Sequence, residues 1–328
     1  MLRSRRRKPW MLVLLLASPL FIEGGLRAVM VVRGSERGVG LHRDYGWRAY
    51  PNVARQGAMW GRDRPARTNA AGWRDRERSP VREEGSVRLA AIGDSFTFGV
   101  GADDGERFTE LIEDELPKVD VLNFGMNGFG TDQELEVLRH EVFDYRPDVV
   151  LCVSYLGNDL LDIQHSVRHR WPKPRYVLEE GALRLIPLHA GPLVRLRSAT
   201  YLGEAVALVA RKLGREASQV REECPDPVAL YLAMVAEMER LAGDRRVGLV
   251  VVLVHEPDID AEIADEVRAA LASAGTQVID LRPTFEAAMA AGEELFHGPP
   301  VGHWNALGHR RVAEEVIRGL RALGYLTR

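Results

Sequence analysis

The segment GDSFTFG, Gly93 to Gly99, places a serine directly after the apolar run VRLAAI. A serine at such a strand-to-helix turn presents its hydroxyl to a crevice and its backbone N–H to a bound oxyanion. With a base in reach it becomes a nucleophile. Alone, Gly-Asp-Ser after a strand is as readily turn chemistry. Three later segments change the weighing. NFGMNGFGTDQE packs three glycines into one short loop, which suits close backbone approach to a ligand. Gly128 there offers a bare N–H; the competing reading is a loop that needs positive φ. YLGNDLLD carries Asn158, whose amide N–H₂ is a second candidate oxyanion donor or, equally, a helix cap. VGHWNALGH carries His303 just before a helix, where it is a candidate general base. Four separate structural explanations for Ser95, Gly128, Asn158 and His303 would have to coincide. Asp94 and Asp159 are assigned to organising their turns, not to chemistry.

These residues need a scaffold that brings strand ends together. VRLAAI, VDVLNF, DVVLCVSY, VGLVVVLVH and TQVIDL are apolar runs of strand length. Helical patterns separate them: Phe108 to Leu116; a segment capped by Thr131 with Glu134 completing a capping box; one opened by Asp226 and Pro227; and one from Ala261 to Ser273. A terminal helix follows Asn305 and buries Val312, Val316, Ile317 and Leu320. Near-continuous apolar strands between helices predict a parallel sheet covered on both faces. Ligands then sit at the carboxyl ends of the strands, where all four motifs are expected.

Composition narrows the class. Of 328 residues 46% are hydrophobic and 28% charged, an ordinary globular balance. A net charge of −3 gives no case for nucleic acid as a partner. Cys152 and Cys224 are the only cysteines. Cys152 lies in an apolar run and reads as a buried small hydrophobe, which makes a Cys152–Cys224 disulfide the lesser alternative. No Cys/His spacing fits zinc, so neither metal nor cofactor is expected. Residues 1–33 begin with the basic run RSRRRKPW and continue as an apolar stretch interrupted by Glu23 and Arg27. That is the layout of a signal peptide or membrane anchor, short for a free-standing span. Residues 34–86 are Arg-rich, with Trp47, Trp60 and Trp73, and read as an irregular arm packed through its tryptophans. Residues 87–328 carry the alternating strands and helices, with an insertion at about 160–225 that includes HSVRHRWPKPRY and an amphipathic stretch from Tyr201 to Leu213. The insertion reads either as a lid or basic glycan-binding edge, or as a solvated charged loop.

The four motifs resemble those of the SGNH hydrolase superfamily, also called GDSL esterases, and TNAAGWRD upstream looks like the segment preceding the nucleophile strand in membrane-anchored bacterial members. The resemblance covers roughly Val87 to the C-terminus apart from the insertion. It implies a flavodoxin-like three-layer α/β/α sandwich with a mainly parallel five-stranded sheet. It also implies ester hydrolysis through an acyl-enzyme on Ser95, with His303 as general base and Ser95, Gly128 and Asn158 as oxyanion hole. The expected substrate is an acylated small molecule or glycan, such as an O-acetylated cell-surface polysaccharide. The expected location is the outer side of a bacterial inner membrane, or secretion. One departure stands out. Family members usually carry an aspartate two or three residues before the histidine; here Val301 and Pro300 occupy those positions. A backbone carbonyl supporting a Ser–His dyad is the expected substitute, with Glu293, Glu294 or Asp280 as carboxylates that could reach in. Two other outcomes stay open: an O-acyltransferase on the same residues, and a non-catalytic glycan-binding protein on a retained fold.

Overall fold

The computed structural model of the chain describes residues 9–32, 38–55, 60, 65–214, 219–256, 261–299 and 302–326. Helix α1 (Pro9–Val32) precedes two short antiparallel ladders in the arm, β1 (Val39–His42) with β2 (Gly46–Ala49) and β3 (Ala54–Arg55) with β4 (Ala66–Arg67). Then come β5 (Val87–Gly93), the single turn α2 (Ser95–Phe98), α3 (Phe108–Glu115), β6 (Val119–Gly125), α4 (Thr131–His140), β7 (Val149–Ser154) and α5 (Leu156–Asp162). The insertion contributes β8 (His165–Arg168), β9 (Trp171–Pro172), β10 (Arg175–Glu179), β11 (Ala182–Ile186), α6 (Pro192–Ala199), α7 (Tyr201–Lys212) and β12 (Val220–Arg221). The chain closes with α8 (Pro227–Gly243), β13 (Gly248–Leu253), α9 (Ala261–Ala274), β14 (Val278–Asp280), α10 (Arg282–Ala290) and α11 (Ala306–Ala322).

The central sheet has five strands in the order β14-β13-β7-β5-β6, and every pairing is parallel. Counted along the chain this is the flavodoxin order, 2-1-3-4-5. Alternate side chains of each strand face opposite layers. Leu89, Ala91, Leu151 and Val153 pack against Phe108 and Ile112 of α3 and Val312 and Val316 of α11. Ala90, Ile92, Val150 and Cys152 pack against Leu135 of α4 and Leu230, Met234 and Met238 of α8. Every residue of β7 is buried, which is why its sequence shows no polar alternation.

Several boundaries shift from expectation. Gly130, not Thr131, caps α4, and Gln133, not Glu134, bonds back to the cap N–H at 3.4 Å. Glu134 is thereby turned inward. Helix α10 has no counterpart in the sequence reading, because RPTFEAAMA is too weakly apolar to announce a face. Cys152 and Cys224 are both free thiols.

Glu23, which breaks the apolar run of α1, has a structural task. Its carboxylate accepts the N–H groups of Tyr201 and Leu202 at 3.2 and 2.9 Å and so caps the first turn of α7. Arg27 bonds Glu23 at 2.7 Å and lies over the Tyr201 ring. Among the described residues no helix is long and apolar enough to cross a membrane.

Candidate active site

Asp94 opens α2. Its Oδ1 accepts the Phe96 N–H at 2.9 Å, so Ser95 becomes the first residue of the turn, directly at the end of β5. His303 Nε2 lies 2.7 Å from Ser95 Oγ. This histidine does not come from a strand end. It sits in the loop between α10 and α11, one helix after the last strand, where the Phe296–Trp304 bridge and the His297 N–H to His303 carbonyl bond of 2.7 Å hold it. The strand-end rule fails for His303 because α10 intervenes. Its ring also packs on Phe96, with centroids 4.8 Å apart.

Asn158, in α5 after β7, donates from Nδ2 to Asp94 Oδ2 at 2.8 Å. The same oxygen stands 3.4 Å from Ser95 Oγ. One buried carboxylate thus touches the serine, its turn and the amide. Gly128, after β6, has φ +79°, and a Cβ there would come within 2.6 Å of His169 Nε2. Only glycine fits that position on both counts. Ser95, Gly128, Asn158 and His303 all line one cleft of about 290 Å³. The structure therefore brings the four sequence candidates together.

The cleft holds residues that the sequence reading did not single out: Asn127, Tyr155, Asp162, Arg168, His169 and Glu256. Tyr155 donates its hydroxyl to Glu256. Tyr155 and Glu256 follow β7 and β13, so the strand-end rule alone could have found them. Arg168 and His169 belong to the basic, aromatic stretch of the insertion, whose reach no local pattern reveals. Of the carboxylates considered as support for His303, Glu293 pairs with Arg311 at 2.8 Å, and Asp280 with Arg268 at 2.6 Å and with the Arg282 N–H that opens α10 at 3.0 Å. Glu294 lines a separate depression with Glu106 and His297. None of the three is aimed at the Ser95 cleft. Pro300 and Val301 lie outside the described residues.

TNAAGWRD clamps this region from the arm. The Arg74 guanidinium, fully buried, donates to the carbonyls of Phe98 and Ala102 at 3.3 and 2.6 Å. Asp75 accepts the Asn123 N–H of β6 at 3.0 Å.

Beneath the cleft lies a group of buried acids. Burial pushes the Asp94 carboxyl up, against the pull of the Phe96 N–H, the Asn158 amide and His303. Burial, then the Arg168 and Lys173 cations acting against it, leaves Asp162 pushed up to about 7. Glu134 and Asp159 are raised much further, by burial and then by their acidic neighbours. Among the described residues neither carboxyl oxygen of Glu134 or Asp159 has a hydrogen-bond partner. A free glutamic acid titrates near 4.3, so above that pH the folded chain holds a proton on Glu134 that the unfolded chain has released. Stability from this group is full below the unfolded value and falls as pH rises toward the folded one. Glu134→Gln removes the titration. The variant's melting temperature should gain on wild type as pH rises above about 5, by the equivalent of up to about 1.4 kcal/mol per pH unit. A difference that does not change with pH would refute the buried-proton account.

The family of the GDSL-like lipases and acylhydrolases matches residues 91–311, and the chain belongs to it. It is a carboxylic ester hydrolase of the SGNH type. Among solved structures it is similar to a lipolytic protein of the G-D-S-L family from Veillonella parvula, with 16% identity over 71% of this chain and 97% of that one and a TM-score of 0.43. It is also similar to a putative lipolytic protein of the same family from Desulfitobacterium hafniense, with 13% identity, 72% and 100% coverage and a TM-score of 0.45. A lipase/acylhydrolase from Enterococcus faecalis gives 14%, 72% and 96%, with a TM-score of 0.41. Comparison with curated protein sequences gives no match.

Proposed function

We propose that the chain cleaves a carboxylic ester through an acyl-enzyme on Ser95, with His303 as general base. The observation that carries this is the 2.7 Å approach of His303 Nε2 to Ser95 Oγ. His303 takes the hydroxyl proton as Ser95 Oγ bonds to the acyl carbon. The oxyanion is received by the N–H groups of Ser95 and Gly128 and the second N–H of the Asn158 amide. Collapse expels the alcohol, which takes the proton from His303. Water, activated by the same imidazole, then frees the acid.

The substrate read from this site is a small acyl group, such as acetyl, on a hydroxyl-rich alcohol such as a surface glycan. The cleft supports this by its size and by the hydrogen-bonding side chains of Asn127, Asp162, Arg168 and His169 on its walls. An exported location belongs to the same reading and rests on the basic run before α1.

Ser95→Ala should abolish hydrolysis of p-nitrophenyl acetate, a loss of about 10⁴-fold or more, and should prevent labelling by a fluorophosphonate. Equal labelling of folded wild type and variant would remove Ser95 from the mechanism. A folded wild type that takes up no label would instead mark a binding protein on a hydrolase scaffold.

A further inference from the structure

The strongest feature outside the cleft is the face made by α1, α6 and α7. Ten large apolar side chains are exposed on these three helices and at the end of α7: Leu20, Phe21, Ile22 and Val29 on α1, Leu193 and Leu196 on α6, and Val206, Leu208, Val209 and Leu213 on and after α7. All other described parts of the chain together expose five such side chains: Val81, Leu161, Leu178, Val220 and Ile263. A concentration of this kind marks a surface that something covers.

The charge beside it says what. Between α1, the arm and α7 lies a cavity of about 720 Å³, with Leu26, Met30 and Leu208 as apolar wall and Arg55, Arg170, Arg197 and Arg211 around it. One acid, Glu204, also lines it. Among the described residues no carboxylate pairs with Arg55, Arg170 or Arg211 within 4 Å. Arg197 lies over the Trp171 ring at 3.9 Å and donates to the Arg170 carbonyl at 2.6 Å. Apolar helix faces flanking a cationic hollow complement a surface that offers acyl chains and anionic headgroups side by side. A second copy of the chain fits poorly, because a two-fold contact would set one arginine cluster against another. In the sequence, α1 is also preceded by Arg3, Arg5, Arg6, Arg7 and Lys8.

We propose that the α1–α7 face docks on an anionic phospholipid bilayer, with the arginine-lined cavity receiving the phosphate of a lipid headgroup. This goes beyond the Ser95 reading and stands or falls separately from it. The insertion is then a membrane-contacting element in its own right, and α1 acts with it by lying in the interface. The cavity adjoins a second, smaller one. Val39, Trp60 and Trp171 line both it and a narrower apolar space of about 210 Å³, which shares Asn127 and His169 with the serine's cleft.

The test is flotation of the full chain with vesicles of phosphatidylcholine alone or with 30% phosphatidylglycerol, at 0.1 and 0.5 M NaCl. Wild type should float with the anionic vesicles at low salt and partition less to the neutral ones. Val209→Asp with Leu213→Asp should lower partitioning at least tenfold. Arg170→Gln with Arg211→Gln should remove most of the phosphatidylglycerol dependence, roughly tenfold or more. Far-ultraviolet circular dichroism and a melting temperature, measured on each variant, report that it is folded. Folded variants that float like wild type would overturn the proposal, since α1 alone would then be holding the chain. So would a change of oligomeric state in the α7 variant with unchanged flotation, which would make the face a contact between copies.

Discussion

His303→Ala should lower kcat/KM for a soluble ester by about 10⁴-fold or more, with the fold intact. The imidazole Nε2, 2.7 Å from Ser95 Oγ, is the base in the proposed reaction. A serine hydroxyl without a base is a poor nucleophile at neutral pH. The histidine is only half-buried, on a loop pinned by backbone bonds of Phe296, His297 and Trp304, so truncation opens no core cavity. The variant should therefore melt close to wild type. Added imidazole can enter the vacated space and should restore part of the rate. Activity within tenfold of wild type, in a folded variant, would assign the base elsewhere.

Asp94→Asn should cost about 10²–10³-fold in kcat with little change in KM. The carboxylate has two tasks. Its Oδ1 accepts the Phe96 N–H at 2.9 Å, and its Oδ2 accepts the Asn158 amide at 2.8 Å. An asparagine can perform the first with its carbonyl. Its N–H₂ then faces the N–H₂ of Asn158, two donors with no acceptor between them. Asn158 has to swing away, and the proposed oxyanion site loses a donor that acts mainly in the transition state. Asn158→Ala should give a loss of similar size, and the double variant should be little worse than either single one, because both remove the same interaction. Additive losses would show that Asp94 acts on Ser95 independently of Asn158.

The parts of this fold that could be read from the sequence are those where local pattern and tertiary role agree. The apolar runs ending at Gly93, Gly125 and Ser154 could hardly be anything but central strands, and their ends deliver Ser95, Gly128 and Asn158. His303 was recognisable as a residue but not as a location, because α10 lacks the apolar period that would reveal it. Glu134 in the sequence reads as half of a capping box. Its position suits one, but the cap falls one residue earlier and the side chain faces the core. Glu23 looked like a flaw in an apolar segment, since its partners lie 178 and 179 residues away. His169 reaches the cleft only because the β8–β9 hairpin turns at His169 and Arg170, both at positive φ although neither is glycine. Nothing in single-residue preference predicts that turn.

The Glu23 bonds to α7 also bear on how the chain should be produced. A cut between Met30 and the arm takes away the Glu23 acceptors of the Tyr201 and Leu202 N–H groups, and with them the wall that Leu26 and Met30 lend to the cavity. A trimmed protein keeps Ser95 and His303, so it would pass an assay on a soluble ester. Its insertion would nonetheless start from an α7 whose first turn has lost the Glu23 part of its cap. For this chain, an N-terminally shortened form is a different molecule at its outer surface, even where the chemistry survives.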